Sequence, residues 1–465
     1  MMIPKNPWAW PIFPIDHVHP AGYSGGMGKK AYIETWGCQM NVHQSERIAG
    51  LLARAGYEPT DDISTADLIV FNTCAVRQKA EEKVYGRIGE VMEQKRTRPV
   101  LFGFGGCIGQ VRGEALLRRF PAIDFLFGTS DLNALPDLVA RAAAGVRVVH
   151  LPPPRGTEEL PVRRASRVTA MVTISEGCSN GCSYCIVPRA RGPLRSRPPE
   201  YVLREVEEAL AAGYKEVLLL GQNVDSYGRD RPEYGDFAAL LEQVARLGVP
   251  RIRFTSSHPR DMTTRVLEAV AAHRNVCNHI HLAVQSGSDR ILREMNRGYT
   301  AGEFLDIVKR ARELIPGINV TTDIIVGYPG ETEADFRATI ELIEEARFGT
   351  IFVAKYSPRP GTRSSRLPDD VPPEVKEARL QEVLALSRRI GLEINQRFIG
   401  RTVEVLIEGR NRNGDPYGRT DDHRTVVLPG ATVEAGEFAV VRITRATSAG
   451  LHGEPAVPLE VKGEG

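Results

Sequence analysis

The sequence lacks any run approaching the roughly 18 consecutive apolar residues of a membrane span, so nothing in it reads as an integral membrane protein. It also lacks a charge bias: 60 Lys and Arg stand against 58 Asp and Glu, a formal net charge of +2. That balance neither requires nor forbids a nucleic-acid partner, and local charge has to decide. Cysteine is scarce and odd in number, with seven at positions 38, 74, 107, 178, 182, 185 and 277. The amino-terminal stretch has neither the continuous apolar core nor the small-residue cleavage site of a secretory signal. An odd thiol count in that setting argues for thiolate ligands in a reducing compartment rather than a disulfide framework. A cytoplasmic protein with no membrane partner is the expectation.

What is present is ordinary soluble material, 42% hydrophobic and 25% charged. With a prior of about 150 residues per domain, a chain of 465 residues suggests about three. Residues 1–28 hold Trp8, Trp10, Phe13 and five prolines and read as an unstructured leader, with Met27 the more natural start. From there short apolar runs, 31–35, 68–72, 100–104 and 123–127, alternate with helical patterns. Ile48, Leu51, Leu52 and Ala55 fall at the spacing that buries one helix face. Residues 29–150 therefore read as a doubly wound parallel sheet. Three successive prolines, Pro152 to Pro154, open a linker over 151–167.

Residues 168–398 show six more strand-then-helix units, with strands near 168–175, 216–221, 251–256, 279–285, 319–326 and 350–356. That is fewer than a closed (β/α) barrel needs, and an incomplete, laterally open barrel suits a bulky substrate. A helical pattern from Glu374 to Ile394 closes this region. Residues 399–465 change texture to short strands with turn signals such as Asn413-Gly414, as in a small antiparallel β-barrel.

The sharpest chemical signal is Gly177-Cys178-Ser179-Asn180-Gly181-Cys182-Ser183-Tyr184-Cys185, three thiols spaced C-x3-C-x2-C after the first strand of the second region. Soft thiolates on one loop suit zinc or an iron-sulfur cluster, but structural zinc wants four ligands and no fourth lies nearby. Three ligands on a four-iron cube leave one iron open to chelate S-adenosylmethionine and reduce its sulfonium. A second set, Cys38, Cys74 and Cys107, sits just past the carboxyl ends of three strands of the first region. Parallel strands put those ends on one edge, where open α/β sheets bind ligands. Cys277, His279 and His281 alternate on a strand and read as barrel wall rather than a metal site.

Gly37-Cys38-Gln39-Met40-Asn41, Asn72-Thr73-Cys74-Ala75-Val76-Arg77, Gly106-Cys107, the three-cysteine loop, Gly221-Gln222-Asn223, the 281–288 segment His-Leu-Ala-Val-Gln-Ser-Gly-Ser and Gly327-Tyr328-Pro329-Gly330-Glu331 carry a resemblance. Over residues 30 to 460 the chain resembles the radical S-adenosylmethionine methylthiotransferases, most closely the MiaB type that modifies tRNA. Ala283, where proline is common, and Ala75, where serine is common, depart from the family pattern without removing a ligand.

The resemblance implies two 4Fe-4S clusters, an auxiliary one on Cys38, Cys74 and Cys107 and a radical-generating one on Cys178, Cys182 and Cys185, and a C-terminal RNA-binding TRAM domain. It implies methylthiolation of carbon 2 of N6-isopentenyl (dimethylallyl) adenosine at position 37, in the anticodon loop of tRNA, with a sulfur donor and an electron donor such as flavodoxin or ferredoxin as partners. Contacts to S-adenosylmethionine are expected from Tyr184, Gln222, Asn223, Gln285 and Ser286. Alternatives are a methylthiotransferase for threonylcarbamoyl adenosine or for a ribosomal protein and, in a different class, a non-catalytic iron-sulfur RNA-binding regulator. Between Arg163 and Arg197 seven arginines face the single acid Glu176, and Arg359, Arg363 and Arg366 add a second basic stretch; both read as grips on RNA phosphates.

Overall fold

The computed structural model describes residues 28–75, 78–157 and 159–456, the side chains of residues 78–80 excepted. The expected leader lies outside them apart from Gly28. Among the described residues no helix is long and apolar enough to cross a membrane. The chain forms two compact units; the first comprises residues 1–166, 175–179 and 185–197, the second 167–174, 180–184 and 198–465.

The first unit holds six strands: β1 Lys29–Thr35, β2 Tyr57–Pro59, β3 Leu68–Thr73, β4 Leu101–Gly106, β5 Phe125–Phe127 and β6 Val148–His150. They lie in the order β2-β1-β3-β4-β5-β6, and every neighbouring pair is parallel. The alternation of side chains along β3 shows why helices cover both faces. Leu68 and Val70 pack with Ile48, Leu51 and Leu52 of the helix Gln39–Arg54. Ile69 and Phe71 pack with Val84, Ile88 and Val91 of the helix Gln78–Thr97. Each such aliphatic side chain, fully buried, contributes about 1.5–3 kcal/mol. The doubly wound sheet expected from sequence is what forms.

β7, Thr169–Thr173, opens the second unit; the first unit then takes two short segments, β8 Ser175–Glu176 and β9 Arg195–Ser196, which pair antiparallel. The second unit continues with β10 Glu216–Leu220, β11 Arg251–Phe254, β12 His279–His281, β13 Asn319–Val326 and β14 Thr350–Lys355. β7-β10-β11 and β12-β13-β14 form two parallel sheets, joined by parallel bridges Ile252 to Val276 and Ser257 to Leu282. Among the described residues no pairing joins β7 to β14, so the six-stranded barrel stays open.

The remaining strands, β15 Thr402–Arg410, β16 Pro416–Arg419, β17 Thr425–Val427, β18 Phe438–Ala446 and β19 Leu451–Pro455, close a barrel around Val405, Ile407, Val426, Val441 and Ile443. Four of its five pairings are antiparallel and the β17–β19 seam is parallel. This small barrel seats on the amino ends of the six parallel strands. Arg253 at β11 bonds Glu216 at 2.6 Å and the carbonyls of Thr420 and Asp421 at 2.6 and 3.0 Å. Asn319, which opens β13, donates to the Asp422 carbonyl at 2.7 Å, and His279 stacks on His423 with ring centroids 4.5 Å apart.

Candidate metal centres

In the first unit, register brings the first cysteine set together. The Trp36 N–H donates to the Asn72 carbonyl at 2.9 Å, and Thr73 pairs with Gly106, so Cys38, Cys74 and Cys107 each follow the carboxyl end of one of three adjacent strands, β1, β3 and β4. The strand order reverses between β1 and β3, the crevice where such sheets take ligands. A Cβ on Gly37, whose φ is +126°, would lie 2.5 Å from the Cys74 Cβ, and one on Gly106 (φ +81°) would lie 2.6 Å from the Thr73 carbonyl oxygen; only glycine allows this approach. Cys38 caps the helix Gln39–Arg54 with extended backbone and no side-chain cap bond, at the positive helix end that favours an anionic group. Asn41 and Asn72 cross-brace the loops: Asn41 Nδ2 donates to the Thr73 carbonyl at 3.0 Å and Asn72 Nδ2 to the Asn41 carbonyl at 2.9 Å.

The second cysteine set lies on the turn between β8 and the helix Val187–Arg191. Gly177 takes a φ of +74°, and a Cβ there would meet the Pro193 carbonyl at 2.0 Å. The Cys178 N–H donates to the Gly192 carbonyl at 3.1 Å. Within the second unit Arg363 Nη2 and Asn296 Nδ2 both donate to the Gly181 carbonyl, at 2.9 and 3.0 Å, and Ser183 is held by Met295, Ser364 and Tyr328. Two N–H groups meet the Cys182 sulfur. Arg297 Nη1 stands at 3.3 Å and His258 Nε2 at 3.9 Å. His258 Nδ1 accepts the Arg260 N–H at 3.3 Å, which leaves the ring proton on Nε2. Burial and the Arg297 charge keep this histidine neutral, far below its ordinary pKa.

The donor sets fit anionic clusters. Arg297 is buried, and its hydrogen-bond acceptors are Tyr299, Tyr184, the Ala283 carbonyl and the Cys182 sulfur, with no carboxylate among the described residues. A desolvated guanidinium without a counter-charge costs several kcal/mol, so the site is built for a negative sulfur group. No three His, Cys, Asp or Glu side chains among the described residues gather tightly enough for a single metal ion. A four-iron cube asks each thiolate for a different iron, so its ligands stand farther apart than those of one ion. None of the seven cysteines forms a disulfide.

At the carboxyl end of β10, both polar atoms of the Gln222 amide and the Asn223 Oδ1 are buried without a hydrogen-bond partner, a debt that a bound polar ligand would settle. Tyr184 accepts from Arg297 at 3.3 Å. Gln285 holds a φ of +76°, unusual outside glycine, while its backbone bonds Asp323 and Ile325. Ser286 Oγ accepts the Ser288 N–H at 3.2 Å and lies 3.4 Å from Thr339 Oγ1, bonds of a strand-end cap. The Ala283 N–H donates to the Ser257 carbonyl at 3.4 Å, a bond unavailable to the proline common at that position. Cys277, His279 and His281 are barrel wall: burial pushes the Cys277 thiol up to about 11, and both imidazoles bond Thr321 at 3.0 Å.

Beside this stands a polar cluster that sequence reading passed over. Asp225 accepts from Ser257 Oγ and the His258 N–H, each at 3.1 Å, and burial, reinforced by Asp261, pushes its carboxyl up to about 8. Asp261 is buried too, but Arg229, Asn223 and Arg260 pull it below the usual carboxylate range.

The arginine reading needs correction. Arg191, Arg195 and Arg197 are buried. Arg195 Nη2 meets Glu176 at 3.1 Å and its other nitrogens meet the carbonyls of Gly156, Arg191 and Pro193, while Arg197 is bidentate on Glu159 at 2.6 and 2.8 Å. These guanidiniums brace the loop instead of facing RNA. Arg359 is buried as well, whereas Arg163, Arg167, Arg189, Arg363 and Arg366 are exposed.

An open parallel barrel whose first strand leads along the chain into a three-cysteine loop is the arrangement expected of a radical S-adenosylmethionine enzyme. Residues 172–343 match the Radical SAM superfamily, residues 30–128 the Uncharacterized protein family UPF0004 and residues 396–456 the TRAM domain. Among solved structures, the radical S-adenosylmethionine methyltransferase TsrM of Kitasatospora setae shares the fold at a TM-score of 0.54 and 16% identity, over 73% of this chain and 74% of that one. Two relatives are each named tRNA-2-methylthio-N(6)-dimethylallyladenosine synthase. That of Carboxydothermus hydrogenoformans is 46% identical over 90% of this chain and 97% of its own length, and that of Geotalea uraniireducens is 46% identical over 92% and 98%. The chain belongs to the tRNA-2-methylthio-N(6)-dimethylallyladenosine synthase family.

Proposed function

We propose that this chain attaches a methylthio group to carbon 2 of N6-dimethylallyl (isopentenyl) adenosine at position 37 of tRNA, in the cytoplasm. The observation that carries this reading is 46% identity along 97% of a relative whose name states that product. Residues 29–150 are the methylthiotransferase domain, 168–398 the radical S-adenosylmethionine domain and 399–465 the TRAM domain. Cys178, Cys182 and Cys185 would hold one 4Fe-4S cluster, and Cys38, Cys74 and Cys107 would hold the auxiliary one. A four-iron cluster with one open iron supplies the electron that cleaves S-adenosylmethionine to a 5′-deoxyadenosyl radical.

The chain's own residues bind, orient and exclude water. Arg297 and His258 donate to the Cys182 sulfur and fix its orientation. Gln222 and Asn223 would hold S-adenosylmethionine through their buried amide atoms, with Tyr184, Gln285 and Ser286 as further contacts. A single-stranded anticodon loop can present a splayed-out base to an open barrel without melting a duplex. A sulfur donor and a low-potential electron donor such as flavodoxin or ferredoxin complete the system. The test incubates reduced, reconstituted protein with prenylated and with threonylcarbamoylated tRNA and weighs the digested nucleosides. Methylthio product from the prenylated tRNA supports the reading; product from the threonylcarbamoylated tRNA alone overturns the substrate.

A further inference from the structure

Arg191 carries a charge that its anchors do not balance. It is 4% exposed, and its Nη2 donates to Asn41 Oδ1 at 3.0 Å and Gln44 Oε1 at 3.2 Å, both neutral. The sulfurs of Cys107 and Cys38 and the Glu176 carboxylate are the negative groups that attract it. Glu176 is itself shared between Arg47 at 3.2 Å and Arg195 at 3.1 Å, so it does not neutralise Arg191 alone. Asn41 links the guanidinium back to the centre, since Cys38 Sγ donates to the same Asn41 Oδ1 at 3.7 Å. Close by, Gln44 Nε2 is buried without a partner, a second donor with nothing to donate to.

Resting on the auxiliary-cluster reading above, we propose that Arg191 is a positioning residue for that centre: anchored on Asn41 and Gln44, it sets a fixed positive charge beside the sulfurs of Cys107 and Cys38. Reduction adds a negative charge to a cluster, and a positive group in a buried site stabilises the reduced form. Arg191 thus raises the reduction potential of the auxiliary centre. The same charge compensates the thiolates while the cluster assembles.

The test uses full-length protein carrying Cys178→Ala, Cys182→Ala and Cys185→Ala, so that only the auxiliary centre remains, alone and with Arg191→Met or Arg191→Lys. Iron and sulfide content and the midpoint potential by electron paramagnetic resonance are measured after anaerobic reconstitution. Arg191→Met is expected to lower the one-electron reduction equilibrium at least tenfold, about 59 mV, with Arg191→Lys recovering at least half of that shift. If Arg191→Met takes up no iron while Arg191→Lys does, the charge role stands. Full iron content with an unmoved midpoint in Arg191→Met overturns the proposal, as does equal loss of iron in both variants. A parent protein that holds no iron overturns instead the auxiliary-cluster reading on which the proposal rests.

Discussion

The guanidinium of Arg297 stands 3.3 Å from the sulfur of Cys182, and among the described residues no carboxylate answers its charge. A buried cation that faces a cysteine sulfur in place of a carboxylate makes its removal a chemical lesion as well as a packing one. Arg297→Met is expected to slow reductive cleavage of S-adenosylmethionine at least tenfold, read as 5′-deoxyadenosine released per reduced protein. Arg297→Lys should retain more of it. Equal rates in wild type and Arg297→Met would remove the residue from the site.

The two cysteine sets stand on different loops and should fail differently. Cys38→Ala or Cys74→Ala is expected to abolish methylthio product while 5′-deoxyadenosine still forms. Cys182→Ala should stop both. Mass analysis of nucleosides and of 5′-deoxyadenosine in one reaction separates the two lesions.

The seam of Arg253 gives a stability prediction. Arg253→Met leaves Glu216, itself 3% exposed, as an uncompensated buried charge. Breaking a buried pair from one side costs about 3–5 kcal/mol. Urea unfolding should show a lower midpoint, and Arg253→Met with Glu216→Leu should recover much of the loss.

Asp225 makes stability depend on pH. Its folded carboxyl, pushed up to about 8, binds a proton that the unfolded chain releases near its ordinary value of 3.8. Stability therefore falls as pH rises between those values, by at most about 1.4 kcal/mol per pH unit, and levels off above the folded pKa. Asp225→Asn mimics the protonated form and should flatten this part of the profile; melting temperatures at pH 5, 7 and 9 test it.

Exposed and buried arginines should separate in tRNA binding. Arg189→Gln and Arg366→Gln, at exposed positions, are expected to lower the slope of log affinity against log salt by up to about 0.7 for each single-strand phosphate left without its arginine. Arg195→Gln should lower the melting temperature and leave the slope unchanged.

Strand runs with two buried faces, such as Leu68–Thr73, announce themselves by an unbroken apolar stretch, here residues 68–71, and were legible. The edge strands Tyr57–Pro59 and Val148–His150 were not, because three residues carry too little periodicity and Val149 is exposed. Cysteine placement was readable because spacing and strand ends are sequence properties. The arginine cluster misled because charge counting is blind to pairing: Arg197 meets Glu159, 38 residues away, and Arg191 meets Asn41 across 150. Arg297, His258 and Asp225 left no local mark, since each acts on a group brought near only when the barrel strands come together.

The seating of the Thr420–Arg424 loop on the amino ends of the parallel strands alters what a deletion of the C-terminal barrel would report. Without that loop, the guanidinium of Arg253, the amide of Asn319 and the ring of His279 lose partners and meet water. A truncated enzyme is therefore a damaged one, and its missing activity would be mistaken for missing RNA affinity. Chimeras between relatives face the same constraint: a graft at residue 399 must bring the matching loop and strand ends together, because they are two halves of one joint.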